Sequence, residues 1–176
     1  MPPPTSPGAE TVTVVVIMGV AGSGKTTVGT ALAVALGWRF VDADDHHTPA
    51  SVAKMARGEP LDDADRAPWL DELRAIVEDA LAHGSGLVMA CSALKARYRT
   101  RLAGRETRGR IRFVHLAGSP ELFRARLAQR AGHFMKAAML ASQLAALESP
   151  ASGAVEVDAA LPVAPLVSHI RSALKL

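Results

Sequence analysis

The sequence predicts a three-layer α/β fold, a five-stranded parallel sheet with helices on both faces, and three observations carry it. Five short apolar runs recur along the chain, segments with helical periodicity separate them, and a glycine-rich turn joins the first run directly to the first helix. With 176 residues, of which 49% are hydrophobic, the chain suffices for one domain with a sizeable core and is too short for two of ordinary size. Residues 1–10 open with Pro2-Pro3-Pro4-Thr5-Ser6-Pro7-Gly8, which has almost nothing to bury and reads as a disordered tail; residues 11–176 read as the domain.

The elements follow in order. Val12 to Met18 is the first strand, too short to span a bilayer and without signal-peptide flanks. Lys25 to Leu36 is the first helix, Trp38 to Asp42 the second strand, and Ala50 to Ala56 a short helix. A long helix is expected from about Arg66 to Ala82, capped by Asp65, with Pro68 in its first turn and a core stripe of Trp69, Leu70, Leu73, Ile76, Val77, Ala80 and Leu81. In this reading Trp69 is core and carries no ligand role. Leu87 to Cys91, Ile111 to Leu116 and Ala154 to Asp158 complete the sheet. Ser119-Pro120 opens a further helix carrying Leu122, Phe123 and Leu127, with Gly132 expected at its end.

The turn after the first strand is Gly19-Val20-Ala21-Gly22-Ser23-Gly24-Lys25-Thr26, matching G-x-x-x-x-G-K-S/T in the strand-loop-helix context that a phosphate-binding loop requires. Glycines let the backbone wrap closely around an anion, and consecutive N–H groups with the positive helix end face the phosphates. Lys25 adds a charge, and the Thr26 hydroxyl is suited to hold Mg²⁺.

A second cluster, Asp42-Ala43-Asp44-Asp45-His46-His47, closes the second strand. Read as extended backbone, residues two apart share a face, so Asp42 and Asp44 project together from the carboxyl end of the sheet, where open α/β folds bind ligands. Two carboxylates can divide the labour, one holding Mg²⁺ directly or through water and the other accepting the proton of an attacking hydroxyl. The bland reading is a turn and a helix cap. His46 and His47 are adjacent and lack zinc-ligand spacing.

The net charge of +3 is modest, yet Arg97, Arg99, Arg101, Arg105, Arg108, Arg110 and Arg112 crowd one stretch. Aromatics are only 4% of the chain and no stacking motif accompanies these arginines, so they read as a solvated helix end and turn rather than a nucleic-acid surface. The single cysteine, Cys91, leaves no internal disulfide and fits a reducing, cytoplasmic setting.

Beyond Gly19 to Thr26 and Asp42 to Asp45 with His47, the chain contains Lys54-Met55, Gly58-Glu59-Pro60-Leu61, Asp65-Arg66-Ala67-Pro68-Trp69-Leu70, Cys91-Ser92-Ala93-Leu94-Lys95 with Tyr98-Arg99, and Gly132-His133-Phe134-Met135. In this order and over nearly the whole chain, these segments resemble the gluconokinases. The resemblance implies a P-loop fold with a helical lid, here about 124–143, often as a homodimer, and Mg²⁺-dependent transfer of the γ-phosphoryl group of ATP to the 6-hydroxyl of D-gluconate. It implies an ATP site of Gly19, Gly22, Ser23, Gly24, Lys25, Thr26, Thr27, Arg126 and Arg130, and an acceptor site of Asp44, His47, Arg66, Lys95, Arg99 and His133. Lys25, Asp44 and Arg130 are the expected catalytic groups. The chain departs from the family pattern at His47-Thr48-Pro49, where His-Pro is usual, at Ala131, where lysine is usual, and at Ala160, where a second aspartate is usual.

Gluconate carries a carboxylate at one end and a primary hydroxyl at the other, so cationic donors must stand some distance from the base. Arg66, Lys95 and Arg99 are candidates, with Lys95 and Arg99 four apart and expected on one face of a helix; each equally suits a surface charge. Arg126 and Arg130 are likewise four apart on the helix leading to Gly132, with Arg130 favoured as the lid arginine. A shikimate-kinase-like enzyme acting on another hydroxy acid, or a non-catalytic gluconate sensor, would share much of this pattern. A GTPase-like switch is disfavoured, since none of the five lysines is followed two residues later by aspartate.

Overall fold

The computed structural model describes residues 11–105, 109–129, 133–150 and 153–176, and for 133–138 the backbone alone. The expected tail over 1–10 lies outside them. The five strands are β1 (Val14–Met18), β2 (Arg39–Asp42), β3 (Leu87–Ala90), β4 (Ile111–Ala117) and β5 (Ala154–Asp158), and all their pairings are parallel in the order β2-β3-β1-β4-β5. The helices are α1 (Lys25–Leu36), α2 (Pro49–Ala56), α3 (Asp63–His83), α4 (Ala96–Ala103), α5 (Pro120–Ala128), α6 (His133–Ala146) and α7 (Val163–Leu174), with a 3-10 turn over Ala43–His46 after β2.

Each strand of a covered parallel sheet buries both faces, and β1 shows it directly: all five of its residues are buried, with alternate side chains entering different cores. Val14, Val16 and Met18 join Leu70, Leu73 and Val77 of α3 and Leu102 of α4. Val15 and Ile17 join Val28 and Leu32 of α1 and Leu166 and Ile170 of α7. Helices therefore sit on both sides, and all five strands point their carboxyl ends at the same rim. Among the described residues no helix is long and apolar enough to cross a membrane.

Helix ends follow their capping chemistry. Ser119 accepts from the Leu122 N–H and Pro120 takes the first turn of α5; Thr48 accepts from the Ser51 N–H and Pro49 opens α2, so the His47-Thr48-Pro49 departure supplies an ordinary cap. The long helix α3 begins three residues earlier than its apolar stripe predicts. Asp62, not Asp65, is the cap; Asp65 closes the box by accepting from the Asp62 N–H, and Pro68 consequently lies in the second turn. At the other end of the stripe the expectation holds, with Trp69, Leu70, Leu73, Val77, Ala80 and Leu81 buried. The helix α5 ends at Ala128, and Arg130, expected on the same helix as Arg126, lies outside the described residues.

Several arginines of the crowded stretch are engaged within the fold. Arg97 pairs with Asp63, Arg101 pairs with Asp71, and Arg110 donates to Leu81 O at 3.2 Å. These contacts attach the edge of α4 and the start of β4 to α3.

Burial on α1 differs sharply between neighbouring positions, since Leu32 is 0% exposed and Val34 is 78% exposed. Leu32→Ala should lower unfolding free energy by about 2–5 kcal/mol, whereas Val34→Ala should change it by less than about 0.5 kcal/mol, both read from urea denaturation.

Candidate active site

The phosphate loop needs glycines for steric reasons visible at two positions. Gly22 has φ 81°, and a Cβ there would lie 2.8 Å from the Phe123 carbonyl oxygen of α5; Gly24 has φ 99° and enters α1 from the left-handed region. Within the loop, Lys25 Nζ curls back to Val20 O at 3.1 Å, and the buried Ser23 Oγ has no hydrogen-bond partner among the described residues. The Ala21 N–H donates to Oε1 of Gln143, from α6, at 2.6 Å.

Facing the loop is the end of β2. The Thr26 hydroxyl donates to Asp42 Oδ2 at 2.7 Å, while the Asp44 N–H donates to Asp42 Oδ1 at 3.1 Å. Both carboxylate oxygens of Asp42 are thus engaged, one by α1 and the other by the 3-10 turn. Asp42 and Asp44 are neighbours, but the extended segment expected between them is instead this turn, with Asp42 as its cap. A cleft opens between loop and turn, lined by Gly22, Gly24, Lys25, Thr26 and Asp44.

The Asp44 side chain is 75% exposed to that cleft, yet protein mass surrounds it at longer range. That burial raises its pKa above the ordinary carboxylate value, Lys25 opposes it, and Asp42 adds to it. His47 lies beside it, with Nε2 3.9 Å from Asp44 Oδ1. Its ring stacks on Trp69 with centroids 4.5 Å apart and 13° between planes, Nδ1 is buried without a partner among the described residues, and burial lowers its pKa, which favours the neutral ring.

Opposite stands a cationic cluster built on Tyr98. Arg66, Lys95 and Arg97 lie 5.7, 5.6 and 5.5 Å from its ring centroid, and the Tyr98 hydroxyl donates to Asp63 at 2.6 Å. Lys95 Nζ is 3.8 Å from the same carboxylate, and Arg66 Nη1 is 3.4 Å from the tyrosine oxygen. Cationic side chains are therefore gathered on α3 and the start of α4.

Known proteins resemble this chain over most of its length. A family described as an AAA domain matches residues 14–150. The gluconokinase of Gluconobacter oxydans is 50% identical over 135 residues, 77% of this chain and 75% of that protein. The thermosensitive gluconokinase of Escherichia coli is 42% identical over 135 residues, 77% of this chain and 71% of that protein. Among solved structures, a gluconokinase from Sinorhizobium meliloti superposes with a TM-score of 0.81 at 42% identity, covering 93% of this chain and 91% of that one. The chain belongs to the gluconokinase family. A shikimate kinase from Acinetobacter baumannii, with a TM-score of 0.57 at 20% identity, shares the fold alone, and nothing in these likenesses favours the shikimate-type or sensor readings.

The gluconokinase candidates divide by what their side chains touch. Lys25, Thr26, Asp42, Asp44 and His47 gather at the cleft; Arg66 and Lys95 gather at the cationic cluster. Thr27 is exposed beside Thr26 at the start of α1. Arg99 is engaged by backbone: its Nη1 donates to Ala93 O at 2.9 Å and Leu94 O at 3.1 Å, and Lys95 precedes α4 as its cap residue. Arg126 likewise donates to two carbonyls, Ser23 O at 3.2 Å and Ala159 O at 2.6 Å, joining the phosphate loop to the turn after β5. Where the family pattern has a second aspartate, the Ala160 N–H donates to Asp158 at 2.8 Å. Arg130, Gly132 and the side chain of His133 lie outside the described residues.

Two features escaped the sequence. Trp69 is a core residue that also builds the site, because its Nε1 donates to Ala43 O at 2.7 Å and so holds the turn bearing Asp44 while its ring supports His47. Ala93 occupies the left-handed region, with φ 44°, one residue before Leu94 and Lys95. Neither an isolated Trp in a helical stripe nor an alanine carries any outward sign of these roles.

Cys91, at the carboxyl end of β3, is 1% exposed and its thiol is pushed up to about 12, chiefly by burial. At pH 8 the native protein should leave a thiol reagent unconsumed, with one equivalent reacting after denaturation, as followed by absorbance of the released thiolate. Prompt labelling of the folded protein would contradict this burial.

Proposed function

We propose that this chain transfers the γ-phosphoryl group of ATP to the 6-hydroxyl of D-gluconate, releasing ADP and 6-phospho-D-gluconate. The observation that carries the reading is the placement of one carboxylate, Asp44, on the cleft wall beside Lys25 and Thr26, with Asp42 anchoring it and a separate cationic cluster at Arg66 and Lys95. A hydroxy acid needs those two ends: cations for its carboxylate and a base for its hydroxyl.

In this reading the hydroxyl oxygen attacks the γ-phosphorus and its proton passes to Asp44. A new P–O bond forms, the bond to the bridging β–γ oxygen breaks, and the electron pair leaves with ADP. Lys25 offsets the charge on the β- and γ-phosphates, and the loop N–H groups orient them. His47, stacked and with burial favouring its neutral ring, is suited to hydrogen-bond a gluconate hydroxyl through Nε2. Arg130 is assigned to the lid, and Arg126 to the phosphate side through its hold on the loop.

Kinases of this loop type use ATP with a divalent metal, and we assign Mg²⁺ to Thr26 and Asp42. Their oxygen donors suit a hard cation, and they already adjoin each other at 2.7 Å. Held by Thr26 and Asp42, the ion would supply positive charge against the phosphate groups.

The direct test is a coupled assay of ADP release across gluconate, shikimate and other sugar acids; turnover of shikimate in preference to gluconate would overturn the assignment. Asp44→Asn keeps the shape and loses the base, so kcat should fall at least about 10²-fold with the ATP dissociation constant little changed. A kcat within a few-fold of wild type removes Asp44 from that role.

The pH dependence carries a sign. Asp44 accepts a proton only when ionised and its pKa is raised, so kcat/KM for gluconate should fall as pH drops through a value above 3.8. A pH–rate series should show this acid limb in the wild type, and Asp44→Asn should flatten it.

A further inference from the structure

Lys95 sits in a backbone setting held only in part by its own neighbours, since the Tyr98 and Arg99 N–H groups donate to its carbonyl. It is the cap residue of α4, its side chain makes no capping hydrogen bond, and the chain before it turns through the left-handed Ala93. Further contacts arrive from elsewhere. At the carboxyl end of α4, Arg74 of α3 donates to Leu102 O and Ala103 O, both at 2.7 Å. At the amino end, the Ala96 N–H donates to Oε2 of Glu148 at 2.6 Å, across 52 positions of sequence, and the Glu148 N–H donates to Leu94 O at 2.9 Å.

These two bonds straddle Lys95, one at the residue before it and one at the residue after. A carboxylate at this end also meets the positive pole of the helix. Arg99 reinforces the same junction by donating to Ala93 O and Leu94 O, with Nη2 3.5 Å from Ser149 O. Glu148 itself follows α6, the helix whose Gln143 accepts from the Ala21 N–H of the phosphate loop. One short stretch, 143–148, therefore holds both the nucleotide loop and the backbone of Lys95.

We propose that Glu148 is a positioning residue for the acceptor site: by bracketing Lys95 it fixes where the lysine ammonium stands beside Tyr98, and so sets affinity for the acceptor carboxylate. Glu148 touches no reacting atom and acts through Lys95. This rests on the gluconate reading above for its kinetic consequence, but the bracket itself is a property of the free protein.

The test uses Glu148→Ala, Glu148→Gln, Lys95→Ala and the double variant Glu148→Ala/Lys95→Ala. Losing a cap acceptor should raise the gluconate KM about fivefold or more in Glu148→Ala, with the ATP dissociation constant unchanged. Glu148→Gln keeps an acceptor oxygen and should return the KM to within about twofold of wild type. In the Lys95→Ala background, Glu148→Ala should add little, because the residue through which it acts is gone. Hydrogen exchange of the amides at the start of α4 should quicken in Glu148→Ala and not in Glu148→Gln, whatever acid the enzyme uses. Unchanged exchange, an unchanged gluconate KM in a chain that turns over gluconate, or full additivity with Lys95→Ala overturns the proposal. Absence of gluconate turnover in the wild type would instead count against the substrate reading, leaving the exchange result to decide the bracket.

Discussion

The site hangs on the two oxygens of Asp42. One accepts from Thr26 at the first turn of α1, the other from the backbone of Asp44 in the 3-10 turn, so a single side chain fastens the helix behind the phosphate loop to the segment bearing the proposed base. The parallel sheet makes this possible by ending β1 and β2 at the same rim, with β3 between them. Charge and geometry then follow from one another. Lys25 opposes the rise in the Asp44 pKa and Asp42 promotes it, so the electrostatic character of the base depends on the contacts that position it.

Around that fastening, long-range hydrogen bonds onto backbone carbonyls and amides do much of the structural work. Arg126 joins the phosphate loop to the turn after β5, Arg74 closes α4, Arg99 holds the junction before it, and Trp69 holds Ala43. Backbone groups in tight turns near a ligand have no ladder to satisfy them, and charged donors from neighbouring helices meet that need. Loops on this rim are consequently set by helices on both faces of the sheet rather than by their own sequences.

The fold was legible because periodicity reports burial and burial decides these elements: β5 and α1 emerge with their predicted bounds, and the α3 stripe buries as read except at Ile76, which is only partly buried. Boundaries slipped where capping competes, since Asp62 and Asp65 are both good caps and only their reciprocal bonds decide which starts the helix. The carboxylate pair was legible as a neighbourhood, but alternation was the wrong geometric reason, because a cap bond folds the segment into a turn. Arg99 and Arg126 show a deeper limit. Helical spacing says which face an arginine occupies but not which distant carbonyl waits there. Glu148 and Gln143 gave no signal, their partners lying 52 and 122 positions away.

Trp69 has one more consequence, an optical one. The chain holds two tryptophans, and Trp38 lies just before β2 at the amino-terminal rim, packed near Gly86, while Trp69 is sealed against His47 below the cleft. With Trp38 replaced by phenylalanine, all indole emission would come from the ring supporting the acceptor side. An imidazole in stacking contact quenches that emission more strongly when charged, so intensity becomes a readout of the His47 proton. The protein thus carries a native fluorophore against the histidine beside Asp44, requiring no label.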